Sequence, residues 1–317
     1  MNAKLFEKIA HVPSISHDEW LRHRKTGIGG SDAGAISGLN KFSSPFSVYC
    51  EKLGLSPEKE DSEAMRQGRD LEEYVAQRFC ESEKKMVKKF NYLIRSKKYP
   101  FALADVDRII VGENALLECK TTSPRNPTDF ESGDIPPYWY CQVQHYLAVT
   151  GCDVCYLAVI VLGKAYYCFR IERNEEDIKA LMEIERRFWE ENVTAKAEPL
   201  PDGSETAADV IKGLYSQSNA ETSDMDLTIY ANELAEYRSL TEEIAERQTR
   251  VEQIKQELQL YLKDATCGRG EGVKISWKSQ TRRTVDTARL KAELPEVYEQ
   301  YTKESVSRPF KINFSEA

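Results

Sequence analysis

"DVDRIIVGENALLECKTT", residues 105–122, sets two short runs of aliphatic and β-branched residues on either side of Gly112 and Asn114. Each run is too short for a helix and suits a strand, and the Gly-Glu-Asn between them suits a tight turn. The first strand is therefore expected to fold back antiparallel on the second. Side chains two apart on a strand leave the same face about 6.6–6.8 Å apart. That places Glu118 and Lys120 together, and the turn brings Asp107 beside them.

Working outward, "MVKKFNYLIRS" and "FALADVDRIIV" precede "ENALLECKTT" in quick succession, which reads as three consecutive antiparallel strands. Upstream, from about residue 17, the pattern is helical. "SPFSVYCEKLG" (44–54) has Ser44 as cap, Pro45 in the first turn and Gly54 as a stop, and a longer helix is expected over roughly 61–82. Downstream, "PPYWYCQVQHYLAVTG" opens on Pro and closes on Gly as helices do. It leads into the strands "CDVCYLAVIVL" and "AYYCFRI" and a helix over 174–194. The order is that of a mixed α/β domain. Residues 196–225, polar with Pro, Gly and Ser, read as a linker. Over 226–264, Leu227, Tyr230, Leu234, Tyr237, Ile244, Val251, Leu258 and Tyr261 fall at helical spacing, which predicts one long helix or a helical hairpin. The strand-like "GVKISWKSQTRRTV" then belongs to a small α/β appendage, with Trp277 packed and Lys278, Arg282 and Arg283 solvated.

The chain has 317 residues, enough for one substantial core and a smaller second unit. No run approaches the ~18 apolar residues of a membrane span, and "MNAKLFEKIAHVPS" lacks a signal-peptide core. A soluble protein of the host bacterial cytoplasm is expected. The formal charge of −8 argues against coating nucleic acid by bulk electrostatics but leaves room for a local basic groove. Residues 84–98 carry seven Lys or Arg and no acid, and "WLRHRK" (20–25) adds more. The eight cysteines are scattered through apolar segments, as buried thiols are. Cys152 and Cys155 form a C-x-x-C that, with Cys141 and Cys168, would otherwise suggest a zinc or iron–sulfur site.

The chemistry concentrates on the opening stretch. Two carboxylates that share a partly buried site repel, and one pKa rises sharply. A divalent cation resolves the conflict, and oxygen ligands alone point to Mg²⁺, with Mn²⁺ able to substitute. Lys120 beside such a site can orient or help deprotonate an attacking water. The plain alternative is a Glu–Lys ladder on a half-buried strand. "GIGGSDAG" (27–34) completes neither the dinucleotide fingerprint nor the P-loop nor G-x-S-x-G. Its glycines let backbone N–H groups approach an anion, with Ser31 as N-cap of a helix over 32–38.

The spacing D-x(10)-E-C-K after an acidic helix, followed by a helix containing Gln, resembles the PD-(D/E)xK nuclease superfamily. Together with "WLRHRKTGIGGSDAGAISGLNKFSSPFSVYCEKLG" and "QVQHYLAVTG" it is similar, more closely, to the YqaJ-like phage recombinase exonucleases, relatives of phage lambda exonuclease. Val106 stands where the superfamily name has a proline. The resemblance implies a restriction-endonuclease-like core over 1–195, a mixed central sheet flanked by helices. The linker 196–225 and a C-terminal long helix with a small α/β appendage over 226–317 would follow it. It assigns Asp107 and Glu118 as metal-binding acids, with the Cys119 backbone carbonyl completing a shell, and Lys120 as the catalytic lysine. Glu72 is the helical acid, reaching metal through water. Its face also carries Val75, Ala76 and Phe79, so it is preferred to Glu73. Gln142 would steady the site, though Gln144 suits a helix equally well, and Arg24 and Ser31 would grip a DNA phosphate.

The implied activity is a Mg²⁺-dependent 5′→3′ exonuclease with two ions, acting on linear double-stranded DNA to leave single strands for phage-type recombination. A single-strand annealing protein of the RecT/Red-beta type is the implied partner, and a homo-oligomer, ring-shaped in some members, is in keeping with the family. Two rivals stand beside it. One is a structure-specific or restriction-like endonuclease on the same core; the other is a non-catalytic DNA-binding or assembly module.

Overall fold

A computed structural model describes residues 1–56, 62–218, 225–305 and 307–314, in two units, Met1–Ser216 and Gln217–Ala317. The first unit opens with β1 (Phe6–His11), α1 (His17–Arg24), α2 (Gly30–Ile36), α3 (Pro45–Leu53) and α4 (Glu63–Glu83). It continues through β2 (Val87–Lys89), β3 (Tyr92–Ser96), β4 (Leu103–Ala104), β5 (Arg108–Ile110) and β6 (Ala115–Thr122). Then come α5 (Pro137–Thr150), β7 (Val154–Val161), β8 (Ala165–Glu172), α6 (Glu175–Arg187) with a π-helical extension over Phe188–Thr194, and α7 (Glu205–Leu214).

A five-stranded mixed sheet in the order β2-β5-β6-β7-β8 forms the centre. β6 and β7 run parallel, joined through α5, while the β5–β6 and β7–β8 pairs are antiparallel. The β5–β6 turn needs Gly112, whose φ of 84° lies in the left-handed region. β6 alternates cleanly. Ala115 and Leu117 pack with Val75 and Phe79 of α4, and Leu116 packs on the opposite side with Val143 and Leu147 of α5. The sheet is thus flanked by helices on both faces, as a mixed α/β core requires.

The three strands expected from the runs at 86–122 are in fact five, split between two sheets. β3 leaves β2 after Phe90 and joins β1 and β4 in a separate three-stranded sheet. β1 gives almost no sequence signal: "FEKIAH" is half polar with no alternation of apolar and polar residues, and its partner β3 lies some eighty residues on, with a bulge between Lys8 and Ala10. The linker expected over 196–225 carries α7. Ser204 caps it, its Oγ accepting from Ala207 N at 3.2 Å, and Ala207, Val210, Ile211 and Leu214 pack onto the main core. This helical spacing of apolar residues outweighs the turn-forming residues around it. The main unit therefore runs past 195; residues 219–224 lie outside the described residues.

The second unit holds α8 (Ala231–Leu262), one unbroken helix, then the hairpin β9 (Cys267–Gly270) and β10 (Val273–Ser276), and the short α9 (Thr287–Glu293) and α10 (Pro295–Gln300). Among the described residues no helix is long and apolar enough to cross a membrane.

One buried charge pair ties α5 to its surroundings. His145 Nδ1 lies 2.9 Å from Glu185 Oε1 on α6, and its Nε2 lies 2.8 Å from the Leu103 carbonyl on β4, with both side chains fully buried. Burial raises the pKa of the Glu185 carboxyl, but with Glu185 ionised both ring nitrogens face acceptors and only the imidazolium satisfies both. Burial alone would lower the His145 pKa, but the Glu185 carboxylate outweighs it and raises it above the ordinary 6.5. The stabilisation from His145 is full below pH 6.5 and is lost as pH rises through the raised value. Urea unfolding between pH 6 and 9 is expected to show wild type losing about 1–3 kcal/mol more than His145→Gln; equal slopes for the two would refute the imidazolium.

Candidate active site

The β5–β6 register pairs Arg108 with Leu117, and one further step sets Asp107 opposite Glu118. Alternation puts both carboxylates on the α5 side of the sheet, with Arg108 on the α4 side. Asp107 Oδ2 accepts the Cys119 backbone N–H at 2.7 Å, which fixes the first carboxylate against β6. Glu118 is almost wholly buried, and its Oε1 receives two donors, Lys120 Nζ at 2.7 Å and Gln142 Nε2 at 2.7 Å. Lys120 Nζ also donates to Gln142 Oε1 at 2.9 Å, closing a triangle, and Gln142 Nε2 reaches the Tyr146 hydroxyl at 3.2 Å. Gln142 and Tyr146 are one turn apart on α5, the spacing at which helical side chains share a face. Gln144, the other candidate amide, points elsewhere. It donates to the Glu172 carbonyl and accepts from Asn174 N, which makes it part of the core.

The electrostatics of this group are those of crowded acids. Burial above all, then the charges of Glu118 and Glu72, push the Asp107 carboxyl well above the usual range. Burial also raises Glu118, although Lys120 pulls it back in part. Lys120 is shifted the other way from a typical buried lysine: burial would lower its pKa, but Glu118 and Asp107 raise it. It is thus held as an ammonium donor, not as a free base.

Glu72 approaches from the α4 side and is not hydrogen-bonded to this group. Arg108 holds it, and the same guanidinium donates to Glu73 Oε2 at 3.0 Å. Glu72 is half-buried while Glu73 is exposed and also meets Lys89 at 3.3 Å. Arg108, adjacent to Asp107 in sequence but facing the other side, is a residue that the motif spacing did not single out.

A second cluster stands beside the first. Arg24 Nη2 donates to Ser31 Oγ at 2.9 Å and to Asp32 Oδ1 at 3.2 Å, and its guanidinium lies 5.0 Å from the Trp20 ring. Asp32 is buried, and its Oδ2 accepts from Lys52 Nζ at 2.6 Å and from Gly29 N at 2.9 Å. Burial would raise the Asp32 pKa, but Lys52 and Arg24 outweigh it and hold it at about 2. Ser31 is not the N-cap expected from the sequence: Gly29 caps α2, and Ser31 lies within its first turn. Trp20 Nε1 donates to Asp105 Oδ2 at 3.0 Å. Asp105 was legible only as the neighbour-but-one of Asp107; its carboxyl is raised by burial, against the pull of Trp20 and Arg24. A cleft of about 140 Å³ is lined by Arg24, Ser31, Asp105, Gln142 and Tyr146 and so joins the two clusters.

Gly27, Gly30 and Gly34 of "GIGGSDAG" serve close packing, while Gly29 lines the cleft. A Cβ on Gly30 would fall 2.5 Å from the Tyr146 ring, and one on Gly34 would fall 2.8 Å from the Tyr138 Cα, so α2 lies directly on α5. A Cβ on Gly27 would meet the Phe101 carbonyl at 2.6 Å, where Ile28 pairs with Ala102.

A hard cation is compatible with this arrangement at one point. Glu118 Oε2 is buried without a hydrogen-bond partner, next to a second carboxylate whose charge it disfavours. Among the described residues no three His, Cys, Asp or Glu side chains gather in a metal-holding group, so Asp107 and Glu118 are the pair on which an ion would rest. All eight cysteines are free thiols, and Cys152 and Cys155 are buried. Because the folded state holds Asp107 where its charge is disfavoured, Asp107→Asn is expected to stabilise the metal-free protein. The amide keeps an acceptor for Cys119 N, and the thermal midpoint should rise by roughly 2–4 °C for each ~1 kcal/mol relieved; a lower midpoint would contradict the buried repulsion.

The sequence model of the YqaJ-like viral recombinase domain matches residues 19–153. "Uncharacterized protein YqaJ" of Bacillus subtilis (strain 168) is 38% identical over 316 residues, covering 98% of this chain and 99% of that protein. Two solved structures are distant likenesses. The alkaline exonuclease LHK-Exo from Laribacter hongkongensis is 21% identical, with 56% of this chain and 93% of that chain covered and a TM-score of 0.46. A phage related exonuclease from Haemophilus somnus 129PT is 12% identical, with 54% and 96% covered and a TM-score of 0.42. The end-to-end match to the Bacillus protein and the domain match across both side-chain clusters place the chain in the YqaJ-like viral recombinase family.

Proposed function

We propose that the chain is a Mg²⁺-dependent deoxyribonuclease, a 5′→3′ exonuclease on linear duplex DNA that leaves single strands for phage-type recombination. The observation that carries this reading is the state of Glu118. One carboxylate oxygen is tied by Lys120 and Gln142, while the other is buried, unpartnered and set beside Asp107. A purely structural acid would be expected to have both oxygens satisfied.

In this reading Asp107 and Glu118 would hold the cation, the Cys119 carbonyl would add a ligand, and Glu72 would reach it through water. Two ions and Mn²⁺ substitution follow the family resemblance. When bound, the cation supplies Lewis acidity toward the phosphate and makes a nearby water more acidic. The chain's own residues do the positioning. Gln142 fixes both Lys120 Nζ and Glu118 Oε1, so the ammonium has one place to stand, from which it donates to an attacking water or a phosphate oxygen. Arg24, locked by Asp32, presents a guanidinium beside the Ser31 hydroxyl at the cleft, where a terminal phosphate would meet both. A single-strand annealing protein of the RecT/Red-beta type would take the product strand.

The test is purified protein with end-labelled linear duplex, 5′-phosphorylated or not, with and without Mg²⁺, alongside closed circular duplex. Mg²⁺-dependent loss of the 5′-phosphorylated strand with the circle intact is expected. Lys120→Ala should lower the rate by about 10²–10⁴-fold with duplex binding retained. Cleavage of the circle would make the enzyme an endonuclease, and unchanged cleavage by Lys120→Ala would remove the lysine from the chemistry.

A further inference from the structure

Among the described residues, the long helix α8 is exposed along its length and touched only lightly, by Phe314. Every residue from 235 to 261 is exposed, apolar ones included. Tyr230, in the turn that leads into α8, and Tyr237, Ile244, Val251 and Leu258 on the helix are spaced by seven, and Leu240, Ile254 and Tyr261 follow three residues after members of that series. These are the a and d positions of a heptad repeat, and Leu258, the least exposed of the eight, is still 41% exposed. A straight helix has 3.6 residues per turn, so an apolar repeat kept strictly at seven over the ~48 Å of a 32-residue helix matches a supercoiled partner rather than a flat protein surface. Phe314 leans on Tyr237 with ring centroids 6.4 Å apart and leaves it 45% exposed.

We infer that α8 pairs with α8 of a second copy of this chain as an antiparallel two-stranded coiled coil. Charge decides the partner and its direction. In a parallel, in-register pair, Glu233 would face Glu233 and Arg247 would face Arg247 in the seam, and Arg250 would flank Lys255. Reversing one helix removes all three conflicts in a single register. Tyr230 then meets Tyr261, Tyr237 meets Ile254 and Leu240 meets Val251, each pair twice by the two-fold axis. Glu233 lies against Leu258. At the centre Arg247 lays its stem on Ile244 of the second copy, with the guanidinium beside that copy's Glu243, and Arg250 also flanks Glu243. The like pair Glu236–Glu257 falls at the solvent-exposed ends, where it costs little. The self-match uses the helix from end to end, as an isologous interface requires.

Light-scattering mass of the full chain is expected to correspond to a dimer or a multiple of two, and to halve in Ile244→Glu/Val251→Glu with helical circular dichroism unchanged. In a Cys267→Ser background, copper-phenanthroline oxidation should join Leu240→Cys to Val251→Cys in a mixture of the two variants and join neither variant to itself. A single-chain mass at tens of micromolar, or a mass that the two glutamates leave unchanged, would overturn the pairing. Efficient self-linking of either cysteine variant would overturn its antiparallel sense.

Discussion

Glu118 is buried and Asp107 half-buried opposite it on the neighbouring strand, where burial and nearby like charges disfavour the ionised form of each. The surrounding structure is arranged around that conflict. The left-handed turn at Gly112 sets the register that creates it, and the Cys119 N–H holds one acid in place. Lys120 and Gln142 satisfy half of the other acid and leave its second oxygen without a partner. Such an assembly is costly for a protein to keep unless something supplies positive charge, which is why perturbed carboxylates of this kind gather at functional sites.

The same helix that carries Gln142 also connects the acids to the Arg24 cluster. Gly30 lies against Tyr146 and Gly34 against Tyr138, so α2 and α5 touch through glycine and cannot shift independently. The Asp32 carboxylate, paired with Arg24 and Lys52 in the interior, fixes the guanidinium beside Ser31. His145 holds the α5 backbone to β4, the strand just before Asp105 and Asp107. The spacing between the Arg24–Ser31 cluster and the acids is therefore set by buried contacts on α5 and not by a surface loop.

Much of this was legible in the sequence because local signals and tertiary demands agree. Ser44, Pro45 and Gly54 bracket α3 as caps should, Pro and Gly bracket α5, and β6 alternates between two buried faces. The Glu118–Lys120 spacing on a strand placed both side chains on one face, and the structure brings them within hydrogen-bonding reach of Gln142. What was hidden depends on long-range contact. β1 has no apolar run of its own, β2 and β3 look like one strand until Phe90 diverts the chain to another sheet, and α7 lies among turn-forming residues. Among the glycines that the sequence suggests for an anion, Gly30 and Gly34 also let α5 approach, against the Tyr146 ring and the Tyr138 backbone, while Gly29 lines the cleft beside Arg24. Gly29 rather than Ser31 caps α2, and Asp32, Arg108 and Asp105 are not legible in the sequence because nothing local distinguishes a paired interior charge from a solvated one.

The central claim, that Asp107 and Glu118 share a site completed by a hard cation, is tested most directly by diffraction from crystals grown with Mn²⁺. The account predicts an anomalous difference peak about 2.0–2.6 Å from Glu118 Oε2 and from the Asp107 carboxylate. No peak there at saturating Mn²⁺, or an ion bound elsewhere with Glu118 Oε2 still unpartnered, would contradict it.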